Sequence, residues 1–317
     1  MSDKPLVQTI DLKKYFKMPQ GLLHAVDGVN MSIGEGKTLG VVGESGCGKT
    51  TLGQVVLRLI EPTSGQILYD GESVLSLKKN ELYSMRQKMQ IIFQDPYSSL
   101  NPRLSVSEII AEPMIVNKTF RTRREILKRV DELMEIVGLA ARLSSVYPHE
   151  LDGGRRQRIG VARALSVNPK FIVCDEPVSA LDVSIQAQIL NLLMDLQAEF
   201  GLTYMFITHD LSVVKHISNE IAVMYLGKCV EQAPSRELFK NPRHPYTRAL
   251  LSAIPIPHIK MRDKVIEVLK GEVSSPINPA PGCRFAPRCS IARESCSMLD
   301  PELKEISPGH YCACGQI

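Results

Sequence analysis

The chain lacks any run of about 18 or more apolar residues, so no segment reads as a helix that spans a bilayer. Its start, Met1-Ser-Asp-Lys-Pro5, also lacks the charged-then-apolar pattern of a secretory signal. Together these absences predict a cytosolic protein, at most docked onto something that sits in a membrane. A strong charge of one sign is missing too. The 38 Lys and Arg against 34 Asp and Glu leave a net charge of +4, too mild to imply a nucleic-acid partner. No internal repeat is present. What remains is ordinary for a soluble globular protein, with 44% hydrophobic and 23% charged residues. At 317 residues the chain can bury a large core and is expected to hold more than one folding unit.

The eight cysteines are unevenly placed. Cys47, Cys174 and Cys229 are scattered, whereas Cys283, Cys289, Cys296, Cys312 and Cys314 crowd the C-terminal end. A cytosolic chain is not expected to use them as structural disulfides, which leaves metal ligation or free thiols.

The order of parts is readable. Residues 26–31 and 38–42 predict strands, with turn signals at Gly34 and Gly36, and residues 52–59 predict a helix. Residues from about 85 to 164 look helical and charged. Within them Thr122-Arg-Arg-Glu125 has capping-box spacing, and Ile126, Val130, Leu133 and Val137 share one face, read as core packing. Strands are predicted at 171–174 and 204–207, and a hairpin near 221–231. From Asn241 the composition turns proline-rich, at Pro242, Pro245, Pro255, Pro257, Pro276, Pro279, Pro281 and Pro287, which marks an appended region.

The apolar run Leu39-Gly-Val-Val42 leads directly into Gly43-Glu-Ser-Gly-Cys-Gly-Lys-Thr50. Such glycines let successive backbone N–H groups point inward at phosphate oxygens, and the helix that follows adds its N-terminal dipole. Lys49 is expected to reach the outer phosphates and the Thr50 hydroxyl to coordinate Mg²⁺. Gly43, Ser45, Gly46, Cys47, Gly48 and Thr51 complete the candidate loop. Cys47 lies where the backbone binds, so its thiol is given no role. Asp175 and Glu176 end an apolar strand and can serve different roles, because adjacent strand residues face opposite ways. Asp175 is expected to hold Mg²⁺ through water, and Glu176 to polarise the attacking water.

With these residues the chain resembles the nucleotide-binding subunit of an ATP-binding-cassette (ABC) transporter, over about residues 6–246. Gln94 in Ile91-Ile-Phe-Gln-Asp95 resembles the Q-loop glutamine, which touches Mg²⁺ and the water. Ser179-Ala-Leu-Asp182 resembles the D-loop, and His209 the switch histidine at the γ-phosphate. Phe16 resembles the aromatic that stacks on adenine, with Tyr15 as a rival. Leu151-Asp-Gly-Gly-Arg-Arg-Gln-Arg158 resembles the signature segment, whose Asp152, Gly153 and Gly154, with Asp182, would close over the ATP of a paired subunit. Family signatures usually carry Ser where this chain has Asp152, and Gln where it has Arg155. An anion at Asp152 would oppose closure over phosphate, or would turn away and cap the helix that starts there.

The stretches Ile92-Phe-Gln-Asp-Pro-Tyr-Ser-Ser-Leu-Asn-Pro102, Glu176-Pro-Val-Ser-Ala-Leu-Asp-Val-Ser184 and His244-Pro-Tyr-Thr247 resemble the ATPases of bacterial oligopeptide and dipeptide importers. In some members the C-terminal tail holds a 4Fe–4S cluster. Clustered thiolates suit such a cluster or zinc, while free thiols remain the third reading. Family register implies Cys283, Cys289, Cys296 and Cys314 as ligands, with Cys314 chosen over Cys312.

The resemblance implies an α/β fold: a P-loop NTPase core with a mixed sheet, an inserted helical subdomain and an irregular, cysteine-bearing extension. It implies an ABC ATPase domain over 1–246, a helical subdomain at about 85–164 and an extension over 247–317. The implied function is ATP hydrolysis that powers peptide import. Implied cofactors are ATP, Mg²⁺ through Thr50, Gln94 and Asp175, and the 4Fe–4S cluster. The partners would be a second, different ATPase subunit, two membrane permeases and an extracytoplasmic peptide-binding protein, with the chain peripheral on the cytoplasmic face of the membrane. Alternatives are a soluble ABC protein of repair or translation and a redox-sensing regulatory ATPase. Cargo identity is not legible here, because other subunits choose the cargo.

Overall fold

A computed structural model describes residues 4–253 and 274–316. The first three residues, and Pro255 and Pro257 of the proline-rich stretch, lie outside the described residues. The chain forms two compact units. The first comprises Met1–Ile33, Thr38–Leu75 and Phe206–Ile317, and the second Gly34–Lys37 and Ser76–Met205.

The first unit opens with two long strands, β1 (Pro5–Met18) and β2 (Gly21–Gly34), then β3 (Thr38–Val42), α1 (Lys49–Val56), β4 (Ser64–Tyr69) and β5 (Glu72–Ser73). An antiparallel sheet has the order β2-β1-β4-β5. The β1–β4 register runs from Val7 opposite Tyr69 to Ile10 opposite Gln66, then shifts before Lys13. Asp11, at that irregularity, has a positive φ of 45°.

The second unit holds α2 (Lys79–Lys88), β6 (Met89–Ile92), α3 (Pro96–Ser99), α4 (Val106–Val116), α5 (Arg123–Ile136), α6 (Gly153–Leu165), β7 (Phe171–Asp175) and α7 (Val183–Phe200). β6 and β7 pair in parallel, Met89 with Phe171 through Ile92 with Cys174. The capping box on α5 forms as the spacing predicts: the Thr122 hydroxyl accepts from Glu125 N–H, and the Glu125 carboxylate accepts from Thr122 N–H. Val130 and Leu133 are buried on its inner face and Val137 just past its end, whereas Ile126, read as part of the same core stripe, is only half-buried.

The strand β8 (Thr203–Thr208), buried throughout, carries the chain back to the first unit. There α8 (Leu211–Ile217), β9 (Glu220–Tyr225), β10 (Lys228–Pro234), α9 (Ser235–Lys240) and α10 (Pro245–Ser252) follow, and β11 (Lys304–Ser307) and β12 (His310–Cys312) close the extension. The sheet here is mixed. β3 pairs with β9 in parallel, while β9–β10, β10–β12 and β12–β11 are antiparallel. The β9–β10 hairpin turns at Leu226 (φ 44°) and Gly227 (φ 84°). Two successive positive φ values match the right-handed twist of the flanking strands.

Two details depart from sequence expectation. Helix α1 ends at Val56, not Leu59. Arg58 takes a left-handed conformation (φ 50°), and its N–H closes back on the Val55 carbonyl, so the chain turns there. Within the stretch read as helical, Met89–Ile92 is a strand. Its short apolar run pairs with β7, which overrides the charged, helix-like flanks.

Candidate active site

In the first unit, β3 is buried along its whole length and aims the chain into residues 43–48, after which α1 begins at Lys49. Two glycines of the loop are dictated by space. A Cβ on Gly43 (φ 155°) would lie 2.2 Å from the Met224 carbonyl oxygen, and one on Gly48 (φ 103°) would lie 2.0 Å from that of Ala25. The loop is therefore pressed onto β9 and β2, which only glycine allows. Ser45 and Gly46 are exposed at its rim, while Cys47 is buried and burial pushes its thiol up. Lys49 is buried too. Its Nζ donates to the carbonyls of Gly43 (2.8 Å) and Glu44 (3.0 Å), so the ammonium lies across the interior of the loop. The Cys47 carbonyl accepts from Gly227 N–H at 2.8 Å, which ties the loop to the β9–β10 turn.

The two aromatic candidates on β1 differ in environment. The Tyr15 ring stacks on His24 (centroids 3.9 Å apart), and its hydroxyl donates to Asp27. Burial and that carboxylate hold the phenol well above its usual range. Phe16 is half-buried, with the Lys14 ammonium 4.8 Å from its ring centre. Asp27 also faces His24 and Arg284. Burial alone would raise its carboxyl, but hydrogen bonds from Tyr15 and His24 and the guanidinium bring it below the ordinary value. His209 is exposed between β8 and α8, and the Asp210 side chain caps α8 by accepting from Ser212 N–H at 2.7 Å.

In the second unit, β7 delivers Asp175, which is 4% exposed, and Glu176 beyond it. Glu176 has a positive φ of 45°, a costly conformation for a non-glycine residue. The bend turns its carboxylate to Gln94, whose Nε2 donates to Glu176 Oε2 at 3.0 Å. Sequence named both residues, but not this contact. Asp95, next to Gln94, caps α3 and accepts from Tyr97 N–H at 2.8 Å, which lowers its carboxyl.

Asp152 is the N-cap of α6. Its Oδ1 accepts from Arg155 N–H at 2.8 Å, and its Oδ2 lies 3.1 Å from Arg155 Nη1. Of the two arrangements open in the sequence, the described geometry is the cap. Asp182 stands at the N-cap of α7 without a side-chain capping bond. Gly153 and Gly154 are held close to the D-loop and α7: a Cβ would lie 3.0 Å from Leu181 Cδ2 at the first and 2.7 Å from Ile185 Cγ2 at the second.

The expected Mg²⁺ ligands are Thr50 at the start of α1 in the first unit, and Gln94 and Asp175 in the second. All three offer oxygen donors, the chemistry that Mg²⁺ prefers. The expected 4Fe–4S ligands fit in kind but not in closeness. Cys283, Cys289, Cys296 and Cys314 all line one cavity of about 350 Å³, while Cys312 is buried on β12 and does not line it. Yet among the described residues no three His, Cys, Asp or Glu side chains group tightly enough to hold a metal ion. Burial pushes the Cys283 and Cys289 thiols up, opposite to what thiolate ligation needs.

Sequence reasoning gave no role to two residues that hold Glu44 of the phosphate loop, Arg288 in the C-terminal part and Tyr246 on α10. The Arg288 guanidinium pairs with Glu44, and the Tyr246 hydroxyl accepts from Glu44 N–H at 2.9 Å.

Comparison with known proteins resolves the family. The profile described as "ABC transporter" matches residues 26–179, and that described as "Oligopeptide/dipeptide transporter, C-terminal region" matches residues 230–296. The oligopeptide transport ATP-binding protein AppF of Bacillus subtilis is 49% identical over 324 residues, covering 99% of this chain and 98% of that protein. The chain belongs to the ABC transporter ATP-binding family. The dipeptide transport ATP-binding protein DppF of Haemophilus influenzae is also 49% identical, over 99% of this chain and 97% of its own. Among solved structures, a post-hydrolysis dimer of the ATP-binding cassette MJ0796 bound to ADP and Pi has a TM-score of 0.66 at 31% identity, covering 73% of this chain and 99% of that one. The structure of cbiO1 from Clostridium perfringens, part of an ABC transporter complex, has a TM-score of 0.67 at 29% identity and covers 75% and 92%. The fold of this ABC ATPase is thus the P-loop NTPase cassette with a mixed sheet. No helix among the described residues is long and apolar enough to cross a membrane.

Proposed function

We propose that this chain is the ATP-hydrolysing subunit that powers import of di- and oligopeptides through a membrane ABC transporter. The observation that carries hydrolysis is the Gln94–Glu176 contact: a carboxylate fixed by a strained bend and an amide is suited to accept a proton from water. Lys49 and the loop amides of Gly43, Ser45, Gly46, Cys47, Gly48, Thr50 and Thr51 would bind the phosphates, and His209 would meet the γ-phosphate. Phe16 would stack on adenine, since Tyr15 is already engaged with His24 and Asp27. Mg²⁺, held by Thr50, Gln94 and Asp175, would neutralise charge on the phosphates.

Asp152, Gly153, Gly154 and Asp182 would face the nucleotide of a second, homologous ATPase subunit, so that ATP joins the pair and hydrolysis releases it. Two permeases and an extracytoplasmic peptide-binding protein complete the proposed assembly, with this chain on the cytoplasmic face of the membrane. The ATPase core would span residues 1–246, with a helical part at about 85–164, and the extension 247–317. End-to-end likeness to transport subunits favours this reading over a soluble role in repair or translation. It is tested in the reconstituted pair with its permeases. Peptide-stimulated phosphate release should fall at least roughly 100-fold in Glu176→Gln, with ATP binding retained. Absence of any peptide stimulation in the unmodified assembly would sink the reading.

The finer expectation of a 4Fe–4S cluster is supported by the four thiols that line one cavity, Cys312 standing apart. Binding would require the thiols to close in and ionise, which also makes the cluster the basis for any redox-sensing role. Anaerobically purified protein should contain iron and sulfide, both lost in Cys289→Ser. A colourless, iron-free protein refutes the cluster.

A further inference from the structure

Glu44 is the second residue of the phosphate loop, so a negative charge is carried within a few residues of the amides that would receive polyphosphate. An unpaired anion there would repel the ligand. It is paired by a residue from far along the chain. Arg288 Nη1 lies 2.8 Å from Glu44 Oε2, and Nη2 lies 3.2 Å from Oε1, a forked, two-bond arrangement. The Arg288 side chain is 7% exposed, so solvent screens the pair little. The main chain of the same residue is gripped as well, through the Glu44 N–H donated to Tyr246. The Tyr246 ring packs against Phe285, with centroids 5.4 Å apart, and Phe285 belongs to the same short stretch as Arg288.

A second brace runs in parallel. Arg284 donates to the Leu226 carbonyl and pairs with Asp27, and Gly227, next in the turn, donates its N–H to the Cys47 carbonyl. Both arginines lie in the stretch Cys283-Arg-Phe-Ala-Pro-Arg-Cys289. This stretch therefore touches the loop directly at Glu44, where it cancels the one negative side chain the loop carries, and braces it indirectly through the Leu226–Gly227 turn.

We propose that Arg288 is a positioning residue of the ATP site. It neutralises Glu44 and holds the phosphate loop in place, so that nucleotide affinity depends on the C-terminal extension. The proposal rests on the reading of that loop as the ATP site.

The test is equilibrium binding of a fluorescent ATP analogue to the full-length chain, with KM and kcat measured in the assembled pair. Arg288→Ala should raise Kd and KM roughly tenfold, with kcat at saturating ATP changed by no more than about twofold. The loss should be larger at low salt, where the stranded carboxylate is least screened. Arg288→Lys, which keeps charge but not the fork, should lie between. Adding Glu44→Gln to Arg288→Ala should restore affinity to within about threefold of the unmodified chain, because no charge is left to neutralise. A merely structural brace predicts no such rescue. Should Arg288→Ala fail to fold by circular dichroism, Arg288→Gln carries the same comparison. Lys49→Ala separates the two readings. If the unmodified chain binds no better than Lys49→Ala, the ATP site itself is wrong. If it does bind better, unchanged affinity in the Arg288 variant, or a double variant as weak as the single, overturns the positioning role.

Discussion

Gly154 shows how two demands meet on one residue. In the proposed pairing its amide would have to stay open to the partner's phosphate, and as part of α6 it must let α7 approach. A Cβ there would stand 2.7 Å from Ile185 Cγ2, closer than real contacts allow, so Gly154→Ala must push a packed, β-branched side chain aside. We expect a loss of about 1–3 kcal/mol in denaturant unfolding, relieved in part by Ile185→Ala, which removes the Cγ2 methyl that the new Cβ would meet. Glu176 is the opposite case, a residue whose strained backbone can be traded for placement of its carboxylate. The glycine pattern and the Asp-Glu pair were legible in the sequence because phosphate binding demands fixed spacing. The Gln94 contact was not, since nothing local in either segment encodes a pairing of residues 82 positions apart.

At the scale of elements, α10 begins on a histidine. His244 is 1% exposed, and its Nδ1 accepts from Tyr246 N–H at 3.1 Å, a bond available only to the neutral ring. Burial, reinforced by the charge of Arg248, pushes its pKa down to about 4 from an ordinary 6.5. The folded value is the lower one, so the contribution is complete above pH 6.5 and is lost as pH falls towards about 4. Full loss amounts to roughly 3 kcal/mol. Urea unfolding of His244→Asn, which keeps a neutral capping acceptor, should show a shallower pH dependence over that window than the unmodified chain. Equal slopes would refute the assignment. Elements with strong local signals, such as β3, the β9–β10 hairpin and the capped α5, stand where pattern placed them. β6 escaped because four residues carry too short a period to outweigh charged neighbours, and its identity comes from β7.

Across the whole chain, the open matter of the signature becomes a measurable one. The Asp152 carboxylate is turned to its own helix and to Arg155; serine keeps the N-cap bond and gives up only an exposed ion pair. We therefore expect Asp152→Ser to leave ATP-driven association with the second subunit within about threefold, as read by sedimentation with and without ATP. A marked tightening would mean that the carboxylate does face the partner's nucleotide. The prolines and cysteines of the C-terminal part were visible in the sequence, but the contacts that attach it were not. Glu231 on β10 is fully buried and accepts from Arg243 N–H (2.7 Å), His244 N–H (2.9 Å) and His310 Nε2 (2.7 Å), and no periodicity marks such a hub. That hub has a further consequence, because β12 pairs with β10 through Glu231 opposite Cys312 and Gln232 opposite Tyr311. The last strand of that edge is then β11, only four residues long and with Lys304 and Glu305 both exposed. Without this hairpin, β10 would present a longer row of unpaired amides and carbonyls, a ready template for strands of other molecules. The cysteine-bearing tail thus also acts as a built-in guard against aggregation, which makes it a poor segment to trim when the protein is produced.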